Sequence, residues 1–227
     1  GEWLILNSLC TYFFLSDLGF TAAVANETAV RISRNDSRGA SKVFQSNFYL
    51  TLLLSIVALI LFPSLGAKLL TLAGWHSALF NGYRAIILLG LLCLHALLSQ
   101  RTGLLYDAYR AEGELAKGTM WNNGFRLFEF FLLCTVVTLK GGPLAAALAL
   151  VFARGIGFAL MTRAVKHSHP WVCWGLKEVS LRPALELKRP GLAFTLIAIG
   201  EQLRSGGVVT VLGLIMGPVP VVIFSTA

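Results

Sequence analysis

The sequence predicts an all-α fold, a polytopic bundle of transmembrane helices, and three observations predict it. Of the 227 residues, 56% are hydrophobic and only 13% charged, and the mean hydropathy is +0.72, outside the range of an ordinary soluble domain. Six apolar runs reach or approach the roughly 20 residues that a helix needs to cross a hydrocarbon core. The basic residues collect between those runs, mainly in alternate connections. The net charge of +8 therefore reads as anchoring at a membrane surface, with no nucleic-acid motif and no nucleic-acid partner expected.

The first run, 3–24, is of membrane length and is interrupted by Asp17-Leu18-Gly19. A basic connection, Glu27 to Lys42, follows, with the turn-forming Asn35-Asp36-Ser37 and Gly39. The second run, 43–67, has no charge, and its Pro63 marks a helix end or a kink. The connection from Lys68 to Arg84 holds Trp75 and Tyr83, aromatics suited to the headgroup level. The third run, 85–100, is charge-free, and Arg101 to Lys117 is expected as a loop. The fourth run, 118–139, and the fifth, 144–162, are joined by the tight Lys140-Gly141-Gly142-Pro143. Arg163 to Pro190 is the longest polar connection, and its Trp171, Trp174, Leu176, Leu181, Leu185 and Leu187 predict a short amphipathic helix lying on the membrane. The sixth run, 191–216, begins after Pro190, which suits a first helical turn.

The organisation expected is one transmembrane lobe over 1–165, a connector over 166–190 and the start of a second lobe over 191–227. Thirteen of the 19 Lys and Arg lie in the connections 27–42, 101–117 and 163–190, and three lie in 68–84 and 140–143, so the first set is expected to be cytoplasmic. The other three are Arg126, Arg154 and Arg204, inside apolar runs with Asp17, Glu129 and Glu201. A charge at hydrocarbon depth costs on the order of 2.5–3.5 kcal/mol on insertion scales and faces protein or water. Charges of both signs in several spans therefore predict a shared polar interior, read as a transport path.

Arg126 and Glu129 are three residues apart, as are Glu201 and Arg204, so each pair shares a helix face and either neutralises itself or offers its charge to a ligand. Arg154 has no such neighbour and either binds substrate or snorkels to the near surface. Asp17 is a candidate for ion coupling or for a packing hydrogen bond beside Gly19. His167, His169 and Cys173 have the residue types of a metal site without its paired spacing, and a solvated loop is the expectation, with no metal or other cofactor. Cys10, Cys93, Cys134 and Cys173 show no disulfide pattern. No nucleophile with its base and no phosphate-cradling glycine loop stands at the spacing an enzyme needs.

Gly1-Glu2-Trp3 leading through Tyr12 to Ser16-Asp17-Leu18-Gly19-Phe20, then Ala22-Ala23 and a basic loop, resembles the second transmembrane helix of bacterial polysaccharide flippases. These belong to the multidrug/oligosaccharidyl-lipid/polysaccharide exporter superfamily. Leu212-Gly213-Leu214-Ile215-Met216-Gly217-Pro218, then Val221 and Phe224-Ser225, is similar to that family's seventh helix and the turn into its eighth. The resemblance implies a fragment that lacks the first helix and most of a second six-helix lobe. It implies a bacterial inner-membrane carrier, not an enzyme, that moves undecaprenyl-pyrophosphate-linked oligosaccharide across the membrane by alternating access. Membrane lipids and other glycan-assembly proteins are the further partners implied. Arg126, Arg154 and Arg204 are then candidates to bind the pyrophosphate, because an arginine fork donates paired hydrogen bonds to phosphate oxygens. Asp17, Glu129 and Glu201 are candidates for ion coupling or for structural pairs. The alternatives are a membrane polymerase or ligase acting on polyprenyl-linked sugars, disfavoured by the short periplasmic connections, and a drug exporter of the same superfamily.

Overall fold

A computed structural model of the chain describes residues 2–13, 19–72, 83–175, 179–180, 187–216, 221 and 224, and all the regular structure in them is helical. The helices are α1 (Glu2–Thr11), α2 (Phe20–Ser33), α3 (Ser37–Leu72), α4 (Tyr83–Ala111), α5 (Leu115–Thr138), α6 (Pro143–Ser168), α7 (Lys188–Gln202) and α8 (Val208–Met216), with a π-helical turn, Leu203–Gly207, between the last two. Three of them are long and apolar enough to cross a membrane on their own composition: Ser37–Lys68 in α3, Tyr83–Ala111 and Pro143–Ser168. The 24 residues of α5 match them in length and carry Arg126 and Glu129 mid-helix. The fold is that of a multi-pass membrane protein.

Several boundaries differ from the sequence expectation for physical reasons. The run 3–24 is not one helix: α1 ends at Thr11, and Gly19 adopts φ 66 before α2 begins. The connections 27–42 and 101–117 are mostly helical, because charged residues at helix ends are compatible with the helix and only a turn stops it. In the first, Asn35 takes φ 60 and the Asp36 carboxylate accepts the Gly39 N–H at 2.9 Å, capping α3. In the second, Gly113 at φ 78 makes the turn. Pro63 lies inside α3. Gly142 precedes a proline at the first turn of α6, where a missing N–H costs nothing. Of the residues expected to form a surface helix in the connector, Trp171 and Trp174 lie in non-helical chain, and Leu176, Leu181 and Leu185 lie outside the described residues. Trp171 and Trp174 instead meet Phe44 edge-on, at 6.0 and 6.4 Å between ring centroids.

α4 is the central helix and packs against α2, α3, α5 and α6. Two apolar clusters fill the bundle. One holds Phe44, Phe48, Leu104, Leu105, Tyr109 and Trp171; the other holds Leu6, Phe13, Leu89, Leu92, Leu97 and Leu150. A polar layer divides them. Ser55 of α3 donates to the Gln100 amide oxygen at 3.0 Å, and Arg101 donates to the Phe48 carbonyl at 3.0 Å and the Thr51 hydroxyl at 2.7 Å. The groups of this layer thus meet one another, as burial demands, whereas the buried Asn47 side chain of α3 makes no hydrogen bond among the described residues.

Candidate functional site

α4, α5 and α6 position the charges that the sequence placed at membrane depth. Glu129 sits one turn from Phe125 on the face of α5 that packs into the bundle, and Gly157 lets α6 approach that face: a Cβ there would lie 3.0 Å from the Phe125 ring. This brings Arg154 against Glu129. Its Nη2 donates to Oε2 at 2.8 Å and its Nε lies 2.6 Å from Oε1. His95 of α4 places Nε2 3.4 Å from the same Oε1. Arg154 and Glu129 are 7% and 8% exposed, so a two-contact ion pair ties three helices together in a site that water barely reaches.

The expected Arg126–Glu129 pair is therefore not formed, because α6 supplies the cation from 25 residues away. Arg126 is exposed and has no ion pair among the described residues. At 3.6 residues per turn it shares one side of α5 with Thr119, Asn122 and Asn123, a polar strip in which Arg126, Thr119 and Asn123 are exposed, Asn122 is half-buried and the Thr119 hydroxyl lies 3.4 Å from the Tyr106 hydroxyl of α4. Glu201 and Arg204 do form the expected i,i+3 pair, at 2.8 Å, with side chains 62% and 77% exposed. Arg204 lies in the π-helical turn, an irregularity that often accompanies function. Asp17 lies outside the described residues. Its neighbour Gly19 is a close contact: a Cβ there would lie 2.4 Å from the Gly191 carbonyl oxygen and 2.7 Å from the Thr195 nitrogen, so α7 crosses the start of α2 with backbone against backbone.

Sequence reasoning missed two features. Arg101, expected in a loop, is 1% exposed and its guanidinium lies 5.5 Å from the Phe48 ring centroid; no turn residue separates it from the apolar run before it, and that was the available signal. His169, expected in a solvated loop, is 0% exposed. Its Nε2 lies 3.5 Å from Glu112 and 3.7 Å from Glu114, and its ring meets Tyr109 edge-on at 4.6 Å. His167 and Cys173 are exposed, away from it, and no group of side chains suited to a metal ion occurs among the described residues. Glu114 pairs with Lys117, which with His169 holds its carboxyl below the usual carboxylate range.

On the side of α5 opposite Arg126 lies a groove of about 820 Å³ between α5 and α6, walled by Trp121, Phe128 and Leu160 and ending at Lys117 and Ser168.

No family profile and no curated protein matches this chain. Among solved structures, the fold is similar to the inward-facing conformation of a multidrug resistance MATE family transporter of the MOP superfamily, with a TM-score of 0.68 and 17% sequence identity over 93% of this chain. The chain spans 51% of the length of that transporter. The likeness is one of fold, to about half of that transporter, and leaves role and substrate unspecified.

Proposed function

We propose that this chain is most of one lobe of a carrier that moves a lipid-linked oligosaccharide, bound through its pyrophosphate, across the bacterial inner membrane by alternating access. One observation carries the reading: Arg126, midway along a membrane-length helix, is exposed and has no ion pair among the described residues. A guanidinium at that depth is not stable against lipid, so its side of α5 faces a wet space or an anion in the assembled protein. A fork with two parallel donors fits a pyrophosphate, and Asn122 and Asn123 beside it offer amides suited to sugar hydroxyls. Arg154 differs from Arg126, since its fork is engaged by Glu129. The Glu129–Arg154 pair serves here to hold the helices, with Glu129 the candidate for ion coupling alongside Asp17. Glu201 and Arg204 form a second pair near the start of a second lobe.

The fold likeness favours a carrier over a polymerase or ligase. A drug exporter is the second reading, favoured by the multidrug resistance description of the matched transporter. Arg126→Ala separates the readings in cells. The flippase reading expects lipid-linked oligosaccharide to accumulate in the cytoplasmic leaflet and surface polysaccharide to fall, with Arg126→Lys restoring only part of it. Normal surface polysaccharide in Arg126→Ala overturns the role, and a changed drug sensitivity with normal polysaccharide selects the exporter.

A further inference from the structure

We infer that the groove between α5 and α6 is a binding site for one acyl chain of an anionic phospholipid from the surrounding leaflet. The placement rests on the proposed function in one respect, that the Arg126 side of α5 is interior. Given the helical repeat, Lys117, Trp121, Gly124 and Phe128 lie on the opposite side of the same helix, so the groove faces outward, where the hydrocarbon of the membrane is the available apolar medium. From Lys117 to Phe128 it follows α5 for about 17 Å at 1.5 Å per residue, close to the depth of one leaflet in a hydrocarbon core of roughly 30 Å. The floor is open at its middle, since a Cβ added at Gly124 meets nothing within 4 Å. With about 820 Å³ between aromatic and aliphatic walls and one side open, the groove offers room for an acyl chain over one leaflet's length.

Its polar end selects the headgroup. Lys117 and Ser168 line that end, and exposed Arg163, next to Ala164 of the groove wall and about 7.5 Å along α6 from Ser168, stands at the groove's edge within side-chain reach of it. Lys117 also contacts Glu114, which leaves further ammonium donors for a phosphate oxygen. An anionic headgroup at this end gains from both cations, whereas a zwitterionic one carries its own.

The test uses the full-length carrier in vesicles of phosphatidylcholine that contain either phosphatidylglycerol or phosphatidylcholine with brominated acyl chains. The quenching lost in Trp121→Phe is the signal of Trp121 in the groove. Half-maximal Trp121 quenching is expected at a several-fold lower mole fraction of the brominated phosphatidylglycerol, roughly five-fold for each basic residue engaged. Gly124→Phe, or Ala164→Phe from the facing wall, is expected to remove Trp121 quenching by both lipids. Lys117→Gln with Arg163→Gln is expected to remove only the headgroup preference. Equal quenching by the two lipids overturns the inference. So does no quenching of Trp121, which means that protein covers the groove, and so does quenching that survives both groove-filling variants. This readout needs no transport: intact polysaccharide export in Arg126→Ala with lipid quenching retained removes the function reading alone, and lost quenching with an Arg126→Ala export defect removes the groove alone.

Discussion

Breaking the Glu129–Arg154 pair from one side is expected to cost far more than removing it from both. In Arg154→Met, a carboxylate that is 11% exposed at its side chain loses contacts of 2.6 and 2.8 Å. Breaking a buried pair in this way costs on the order of 3–5 kcal/mol, chiefly for the charge left behind. His95 stays 3.4 Å from Oε1 and offers partial compensation, which places the expected loss near the lower end, about 3 kcal/mol. Glu129→Leu strands the guanidinium, without compensation from His95, and is expected to cost at least as much. The double variant Glu129→Leu/Arg154→Met removes both desolvated charges and fills the space with apolar atoms, so its stability is expected within about 1 kcal/mol of the parent or above it. The coupling between the sites is then about 6 kcal/mol in magnitude, roughly twice the largest value usual for neighbouring sites, because each single variant strands a buried charge. Reversible unfolding in mixed micelles, titrated with a denaturing detergent, measures all four corners of the cycle. A double variant as unstable as the sum of the singles would refute the reasoning. If Arg154 were instead a substrate ligand with no structural part, the single variants would keep their stability and lose only transport.

Gly19→Ala is expected to destabilise by more than the roughly 1–2 kcal/mol of a left-handed alanine, because its Cβ would meet the Gly191 carbonyl at 2.4 Å; Gly155→Ala, where a Cβ meets nothing within 4 Å, is the control and should be neutral or slightly stabilising in the same titration. Arg101→Met removes the donors to Phe48 and Thr51 and is expected to cost about 2–3 kcal/mol, with Arg101→Lys recovering little because it lacks the fork; full stability of the methionine variant would show that the polar layer does not need it. Since the carboxyl of Glu114 is held low by Lys117 and His169, its contribution is complete above the ordinary carboxylate range and is lost as pH falls below it. Glu114→Gln should therefore weaken the protein near neutrality and flatten the acid limb of its stability profile below about pH 4; an unchanged acid limb would count against the pairing.

The apolar runs announced α3 and α6 because hydrophobicity over membrane length leaves few alternatives, and the same logic found the core of α4. It failed at the ends. Arg101 to Lys117 was assigned to a connection on its charges, yet Arg101, Tyr106 and Tyr109 continue α4, the tyrosines into the apolar cluster of Phe44 and Phe48. Within the charges, spacing along one helix found Glu201 with Arg204 and misassigned Glu129, whose partner comes from another helix. Local periodicity carries no term for that contact. It depends on Gly157 admitting Phe125 and on α6 lying beside α5, facts of packing. His169 was hidden in the same way, since a histidine in a basic stretch reads as solvated until Tyr109 is seen to cover it.

The charges of this chain divide by what neutralises them, and the division orders the reading of function. Arg101 and Arg154 are engaged inside the bundle by groups of α3 and α5, so their positions have a part in stability. Glu201 and Arg204 neutralise each other. Arg126 makes no such pair within the described residues and stands exposed on α5. At hydrocarbon depth a site for an anion needs a cation whose field is not already spent on a buried neighbour, and the same helix must keep its opposite side apolar to remain in the membrane. α5 meets both demands by turning its polar strip and its groove to opposite sides, with Glu129 and Phe125 between them against the bundle. A helix so divided is stable only where two different media meet, and the seam between the wet interior of a carrier and its lipid surround is such a place.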